Sequence, residues 1–378
     1  MINRCGLTRS VGAASVVLLV LVLAGCASSD KPKPKPLEPV TAQIAGRQVW
    51  SQRVDSSAFA STVAVNAGVF TVAGGDGTVV ALQADTGREL WRAGAGGKLS
   101  AGAGSDGKVA AVVTRDGKLV ALEAGRTLWQ KPLAVRVTTA PLVAGERVFV
   151  LGTDRSVQAF DAQDGQKLWA VQRPNDPLTL AQAGVIAAFK DTLLVGQGAR
   201  MAGLDPRDGS VKFEVAVASP RGTNEVERLA DLVAPASRVG DVVCARSFQA
   251  AVGCVDAQRG TLNWTRVTGG TSGVAADEQT VFSADASDRI TAWKAATGEV
   301  LWTSDKLMHR GLSAPLIVGK AVVFGDADGM LHFMSRDKGE AVLRLPTDGS
   351  AILSAPVISG STMLVVTKAG GVFAFRPE

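Results

Sequence analysis

The chain has 378 residues, of which 46% are apolar and 42 are glycine, and a formal net charge of +5. That length admits two or three ordinary domains or one large β-rich one. The lack of long stripes of period 3.6 points to an all-β fold. The charge excludes a nucleic-acid footprint: Arg4 and Arg9 lie in a leader, Lys31, Lys33, Lys35, Asp30 and Glu38 lie in a tether, and about +2 remains for the folded part.

Residues 1–25 read as a lipoprotein signal peptide. Arg4 and Arg9 form a basic start, and the apolar run from Val11 to Gly25 is too short to span a bilayer comfortably. The run ends in Leu23-Ala24-Gly25-Cys26, which resembles the bacterial lipobox, with Cys26 as the lipidated residue. Ala27 follows, where an aspartate would resemble the inner-membrane retention signal, so the expected location is the outer membrane, facing the periplasm. Residues 26–44 are expected to form a lipidated tether. Its Pro-rich stretch, ASSDKPKPKPLEPV, reads as extended chain rather than folded structure.

Beyond the tether one sentence repeats. GTVVALQADTGRELW at 77–91 returns as GKLVALEAGRTLW, SVQAFDAQDGQKLW and DRITAWKAATGEVLW. Aligned on the residue that ends each unit, the positions are Trp50, Trp91, Trp129, Trp169, Phe213, Trp264, Trp302 and Leu343. Their spacing stays near 40, stretching to 44 and 51 only around Phe213. Several short strands per unit at that period are the signature of a β-propeller. In one unit, a strand at 69–72 leads through Gly75-Asp76-Gly77 into an apolar strand at 78–83. Asp85-Thr86-Gly87 then turns into a last strand ending on Trp91, a side chain suited to wedging between blades. Ala140-Pro141, Ala314-Pro315 and Ala355-Pro356 mark the starts of other strands, where proline is tolerated.

The two ends predict the closure. After Leu343 only three strands remain, at 353–358, 362–367 and 371–376, whereas 47–53 has a strand and its tryptophan but no hairpin before it. The expected fold is one eight-bladed β-propeller over residues 45–378, with the N-terminal strand completing the last blade and removing the open edge. A seven-bladed ring is the alternative, because the units at 213 and 343 lack tryptophan.

No reactive constellation stands out. The two histidines, His309 and His332, fall in different blades, with no metal-ligand spacing. The Gly-x-Gly fragments sit in hairpin turns, the wrong context for a dinucleotide. The Asp-Gly pairs at 76, 106, 116 and 328 read as turn chemistry. Cys244 and Cys254, ten residues apart around a turn, could face each other on one sheet. A cross-strand disulfide and two small buried thiols both suit that placement. No cofactor is expected.

The repeat G-x-V-x-A-L-x-A-x-T-G-x-x-x-W resembles that of PQQ-type propellers, which include quinoprotein dehydrogenases. Those enzymes have a vicinal cysteine pair, a tryptophan floor and calcium ligands. Cys244 and Cys254 are not adjacent, and no calcium set can be assembled. A periplasmic quinoprotein oxidoreductase is thus the alternative function. A closer resemblance, running from the lipobox to the C-terminus, is to the BamB family of the β-barrel assembly machinery. Three stretches carry it: GTNEVERLAD at 222–231, SDKLMHR at 304–310 and GDADGMLH at 325–332.

That resemblance implies a non-catalytic scaffold that docks on the periplasmic domains of BamA and aids insertion of outer-membrane proteins. Other machinery components are further partners, and nascent outer-membrane proteins are candidate ones. It implies partner contacts at Leu178 and Leu180, within Pro177-Leu178-Thr179-Leu180, and at Arg228, Leu229 and Asp231. Ala181 and Val233 stand where the family has an arginine and an aspartate. The two loops occupy the 44- and 51-residue intervals, as long insertions between blades where binding residues concentrate.

Overall fold

Every repeat folds as a four-stranded antiparallel meander. The computed structural model describes residues 32–57, 59, 62–172, 178–220 and 223–378. Among them are 32 strands in eight four-stranded sheets. In chain order, blade 1 spans 64–94, blade 2 99–132, blade 3 142–171 and blade 4 186–216. Blade 5 spans 232–267, blade 6 275–304 and blade 7 316–346. Blade 8 takes its three inner strands from 357–377 and its outer strand, Gly46–Arg53, from the other end of the chain. The fold is an eight-bladed β-propeller closed by its N-terminal strand, and the seven-bladed alternative is excluded. The innermost strand of blade 8 is shorter than expected, Val357–Ser359. Pro356 precedes it and has no amide proton for a ladder.

Burial follows position within a blade. The second and third strands are covered on both faces, so Val109–Thr114 and Thr192–Gln197 are buried at every residue. Such strands read as continuous apolar runs rather than alternation. Among the described residues the core forms eight slabs, one at each blade interface, including one between blades 2 and 3 and one between blades 8 and 1, with a small further cluster of Ala199, Ala218, Ala230 and Ala251.

The wedge residue has a fixed geometry. In every blade the ladder between the third and fourth strands slips by one residue just before it. In blade 1, Ala81 faces Trp91 but Leu82 faces Glu89, leaving Leu90 as an extra residue. Such a bulge bends and twists the outer strand. The indole reaches the outer turn of the next blade. Trp50 Nε1 donates to Ala84 O at 3.1 Å, Trp129 to Ala162 O at 3.0 Å, and Trp302 to Arg336 O at 2.7 Å. Trp169 and Trp264 do the same to Pro206 O and Ala295 O. Each acceptor stands three residues before the turn glycine. Gly87 and Gly165 adopt φ of 69° and 70°, and a Cβ on either would lie 2.5 Å from the indole above it. Glycine is required there on both counts. Phe213 covers Gly260 in the same way, and Leu343 meets Gly46.

The N-terminal segment differs from a free tether. Residues 35–45 have no regular strand, yet they are fastened to blade 7 and to the connection that precedes it. Lys35 N donates to Met308 O and Gln43 N to Val342 O, both at 2.9 Å, and Leu37 packs against the apolar slab between blades 6 and 7.

Candidate functional site

Two successive connections break the regularity of the ring. One joins blade 3 to blade 4 and the other joins blade 4 to blade 5. In a meander of four strands, the connections between blades and the central turn within each blade lie on one face, and the outer turns lie on the other. Both long loops therefore emerge on the same face. The first loop is tied to the strand that the second loop leads into: Ala234 N donates to Ala183 O at 3.0 Å, and Gly184 bridges to Val233, both at the start of blade 5.

In the first loop, Leu178 is exposed and Leu180 is half-buried, whereas Pro177 lies outside the described residues. Gly184 N is fixed by Thr139 Oγ1 at 2.9 Å, and Gln182 Nε2 donates to Thr271 O at 2.6 Å. Ala181 is exposed, so this surface offers a methyl group there rather than a charge.

The second loop is built around a reciprocal cap. Glu227 N donates to Asn224 Oδ1 at 2.9 Å, and the Glu227 carboxylate accepts from Thr223 N at 2.8 Å and from Asn224 Nδ2 at 2.9 Å. Two residues thus satisfy each other's ends, as at the start of a helix. The hydrogen bond from the Thr223 amide is the main reason the Glu227 carboxyl titrates below its usual range. The cap holds Val226 outward at 67% exposure, with Arg228 also exposed. Leu229 is half-buried. Asp231 turns inward and accepts from Arg155 Nε of blade 3 at 2.9 Å, with side-chain exposures of only 15% and 14%. Leu180 and Asp231 line one crevice, so the two loops form a continuous patch. Val233 is buried within blade 5 and offers nothing to a partner. Val226 and Arg155 are absent from the sequence-based set. A lone exposed valine has no motif, and the Arg155 contact spans 76 residues.

Cys244 and Cys254 are register partners on adjacent strands of blade 5, with Cα atoms 4.0 Å apart and their sulfurs joined. They face the slab against blade 6, beside Trp264 and Trp293. Nearby, Arg246 is wholly buried and donates to three backbone carbonyls, at Thr268, Gly269 and Ala284, and to Ser283 Oγ. Burial depresses this guanidinium to about 10, so it stays charged at neutral pH. Cys26 lies outside the described residues.

The ring axis holds a cavity of about 1120 Å³. Its described lining carries one carboxylate, Asp116, and no tryptophan. Asp116 is held below its usual range by the Lys118 ammonium at 2.7 Å. A quinone with its calcium needs several oxygen donors and a flat aromatic floor, and this lining does not fit them. Among the described residues no group of three or more His, Cys, Asp or Glu side chains converges. Asp76 and Asp106 accept from backbone amides of their own turns.

The family described as outer membrane protein assembly factor BamB matches residues 40–98, 75–304 and 267–378. The chain belongs to the BamB family. It is 38% identical to the outer membrane protein assembly factor BamB of Burkholderia pseudomallei over 379 aligned positions, covering 98% of this chain and 99% of that one. Among solved structures, BamB from Moraxella catarrhalis superposes with a TM-score of 0.80 at 24% identity, over 88% of this chain and 99% of that one. The quinohemoprotein alcohol dehydrogenase of Comamonas testosteroni superposes at 0.65 with 16% identity, over 89% and 78%, a likeness of fold alone.

Proposed function

We propose that this chain is a non-catalytic scaffold lipoprotein of the outer-membrane β-barrel assembly machinery. It is anchored through a lipid on Cys26 to the outer membrane, faces the periplasm, and docks on the periplasmic domains of BamA. By doing so it assists folding and insertion of outer-membrane proteins, alongside the other components of the machinery.

The observation that carries this reading is the joined loop pair. Membership of the BamB family supports the assembly role. The docking patch follows from loop construction. Leu178, Leu180 and Val226 supply apolar contact, Arg228 supplies charge, and half-buried Leu229 and ion-paired Asp231 set the loop's position. A preorganised loop loses little freedom on binding. A photocrosslinker at Leu178 or Arg228 should capture BamA, and one at Lys338, on the outer turn of blade 7, should not. Capture from Lys338 alone would place the interface on the wrong face.

A further inference from the structure

Two of the three stretches that resemble the BamB family, 304–310 and 325–332, lie apart from the docking loops, and they meet in space. Asp326, with no exposed side-chain surface, accepts from Arg310 Nε at 2.8 Å and from His332 Nε2 at 2.9 Å. Its other oxygen accepts from the Asp328 and Met330 amides. Arg344 Nε donates to His332 Nδ1 at 3.3 Å, which makes His332 a neutral imidazole with its proton on Nε2. Buried polar groups must be satisfied, and this network is satisfied by carrying its free ends outward. Arg310 Nη1 donates to Lys35 O at 3.3 Å, and Arg344 Nη1 donates to Glu38 O at 3.2 Å. The carboxylate sits at the base, and two guanidinium groups hold two carbonyls three residues apart on one extended segment.

That segment suits such a grip. Pro-rich extended chain makes no hydrogen bonds of its own and leaves its carbonyls available. Around the two carbonyls, Lys35 Nζ pairs with Asp305 at 3.1 Å, Glu38 with Lys306 at 3.5 Å, and Leu37 enters the apolar slab. The run from Gly46 to Lys35 climbs the outer strand Ala341–Pro346, past Val342 and Arg344, to the connection at 305–308.

We propose that Arg310, in the connection before blade 7, and Asp326, His332 and Arg344, on blade 7, form a docking site for the chain's own segment 35–43. The strapped segment leaves the propeller at Lys35, on the face that bears the two docking loops. The consequence, that this face is the one turned toward the membrane, rests on the lipid anchor proposed above; the docking itself does not.

Amide hydrogen exchange on the purified full chain tests the docking. Lys35 and Gln43 should exchange at least about tenfold more slowly than in an isolated peptide of residues 33–45, as protected amides do. Arg344→Ala should raise exchange across 35–43 by about tenfold while the central strand Ala321–Gly325 keeps its protection. Peptide-like rates in the parent protein, or no response to Arg344→Ala, would overturn the proposal. If Arg344→Ala unfolds the blade, a second variant decides. With 35–43 replaced by Gly and Ser, the added 33–45 peptide should bind, and lack of binding overturns the site. For orientation, the chain is held on phosphatidylethanolamine–phosphatidylglycerol vesicles containing a headgroup quencher. A fluorophore at Val226→Cys should be quenched at least about twofold more than one at Lys338→Cys. Equal quenching overturns the orientation. Loss of the protein from vesicles counts against the anchor alone, since exchange still decides the site.

Discussion

The interface between blades 2 and 3 and the one between blades 7 and 8 solve the same packing problem differently. At the first, Trp129 lies over Gly165 and donates to Ala162 O, so one side chain fills space and holds the next blade's outer turn. At the second, Leu343 meets Gly46 and makes no polar contact. Blade 8 has no outer turn, because its third and fourth strands come from opposite ends of the chain. A tryptophan at 343 would have no turn carbonyl to hold. The strap compensates: Gln43 N bonds Val342 O, one residue from the wedge, and Arg344 holds Glu38 O on the other side. A departure from the repeat's consensus can therefore mark where the chain is cut rather than where it has decayed.

The comparison can be broken by substitution. Trp129→Ala should cost about 3–5 kcal/mol, read from the urea midpoint, because it removes a buried wedge and its clip together. Leu343→Trp restores the consensus but should destabilise by about 1–3 kcal/mol through overpacking. A gain in stability would mean the seam lacks only an indole. The latch beside the seam should respond to pH. Burial is the main reason His332 titrates below its usual value, outweighing the Asp326 carboxylate, and Arg344 and Arg310 add to it. The native state therefore binds fewer protons than the unfolded one. Stability is complete above the unfolded value near 6.5 and falls as pH drops through it, by at most about 1.4 kcal/mol per pH unit. His332→Gln should flatten the urea midpoint between pH 7.5 and 5.5. Asp326 also titrates below its usual value: burial pushes it up, but bonds from His332, Met330 and Arg310 outweigh that. Its contribution is present above about 3.9 and lost below it, so it leaves that window clear. The smallest effect, about 1 kcal/mol, is expected for Trp129→Phe, which keeps an aromatic ring in the wedge and loses the indole N–H and its hydrogen bond. Phe213 already serves in that form.

The blade count, the wedge positions and the terminal splice were legible because each depends on local repetition. A turn glycine and a tryptophan recur at fixed distance, and the unit without a hairpin announces the cut. The strap was not legible. Lysine and proline make the composition of a linker, and nothing local shows that Arg310 and Arg344, some 300 residues away, hold its carbonyls. Arg246 was hidden for a similar reason, since its acceptors are mostly backbone atoms with no residue signature. At the two long loops, the resemblance implies a contact at Asp231, and the sequence does not show that this residue pairs with Arg155.

The splice also sets an order of events. Gly46 pairs with Pro377 and Arg53 with Gly371, so the first strand waits for the last. Blades 1 to 7 are each contiguous in sequence and can form as the chain emerges, but the ring stays an open arc until the final residues arrive. Pairing across such a separation is slow, and the arc meanwhile exposes an apolar face at each end. A chain truncated even by its last strand would keep seven complete blades and still lack a closed circle.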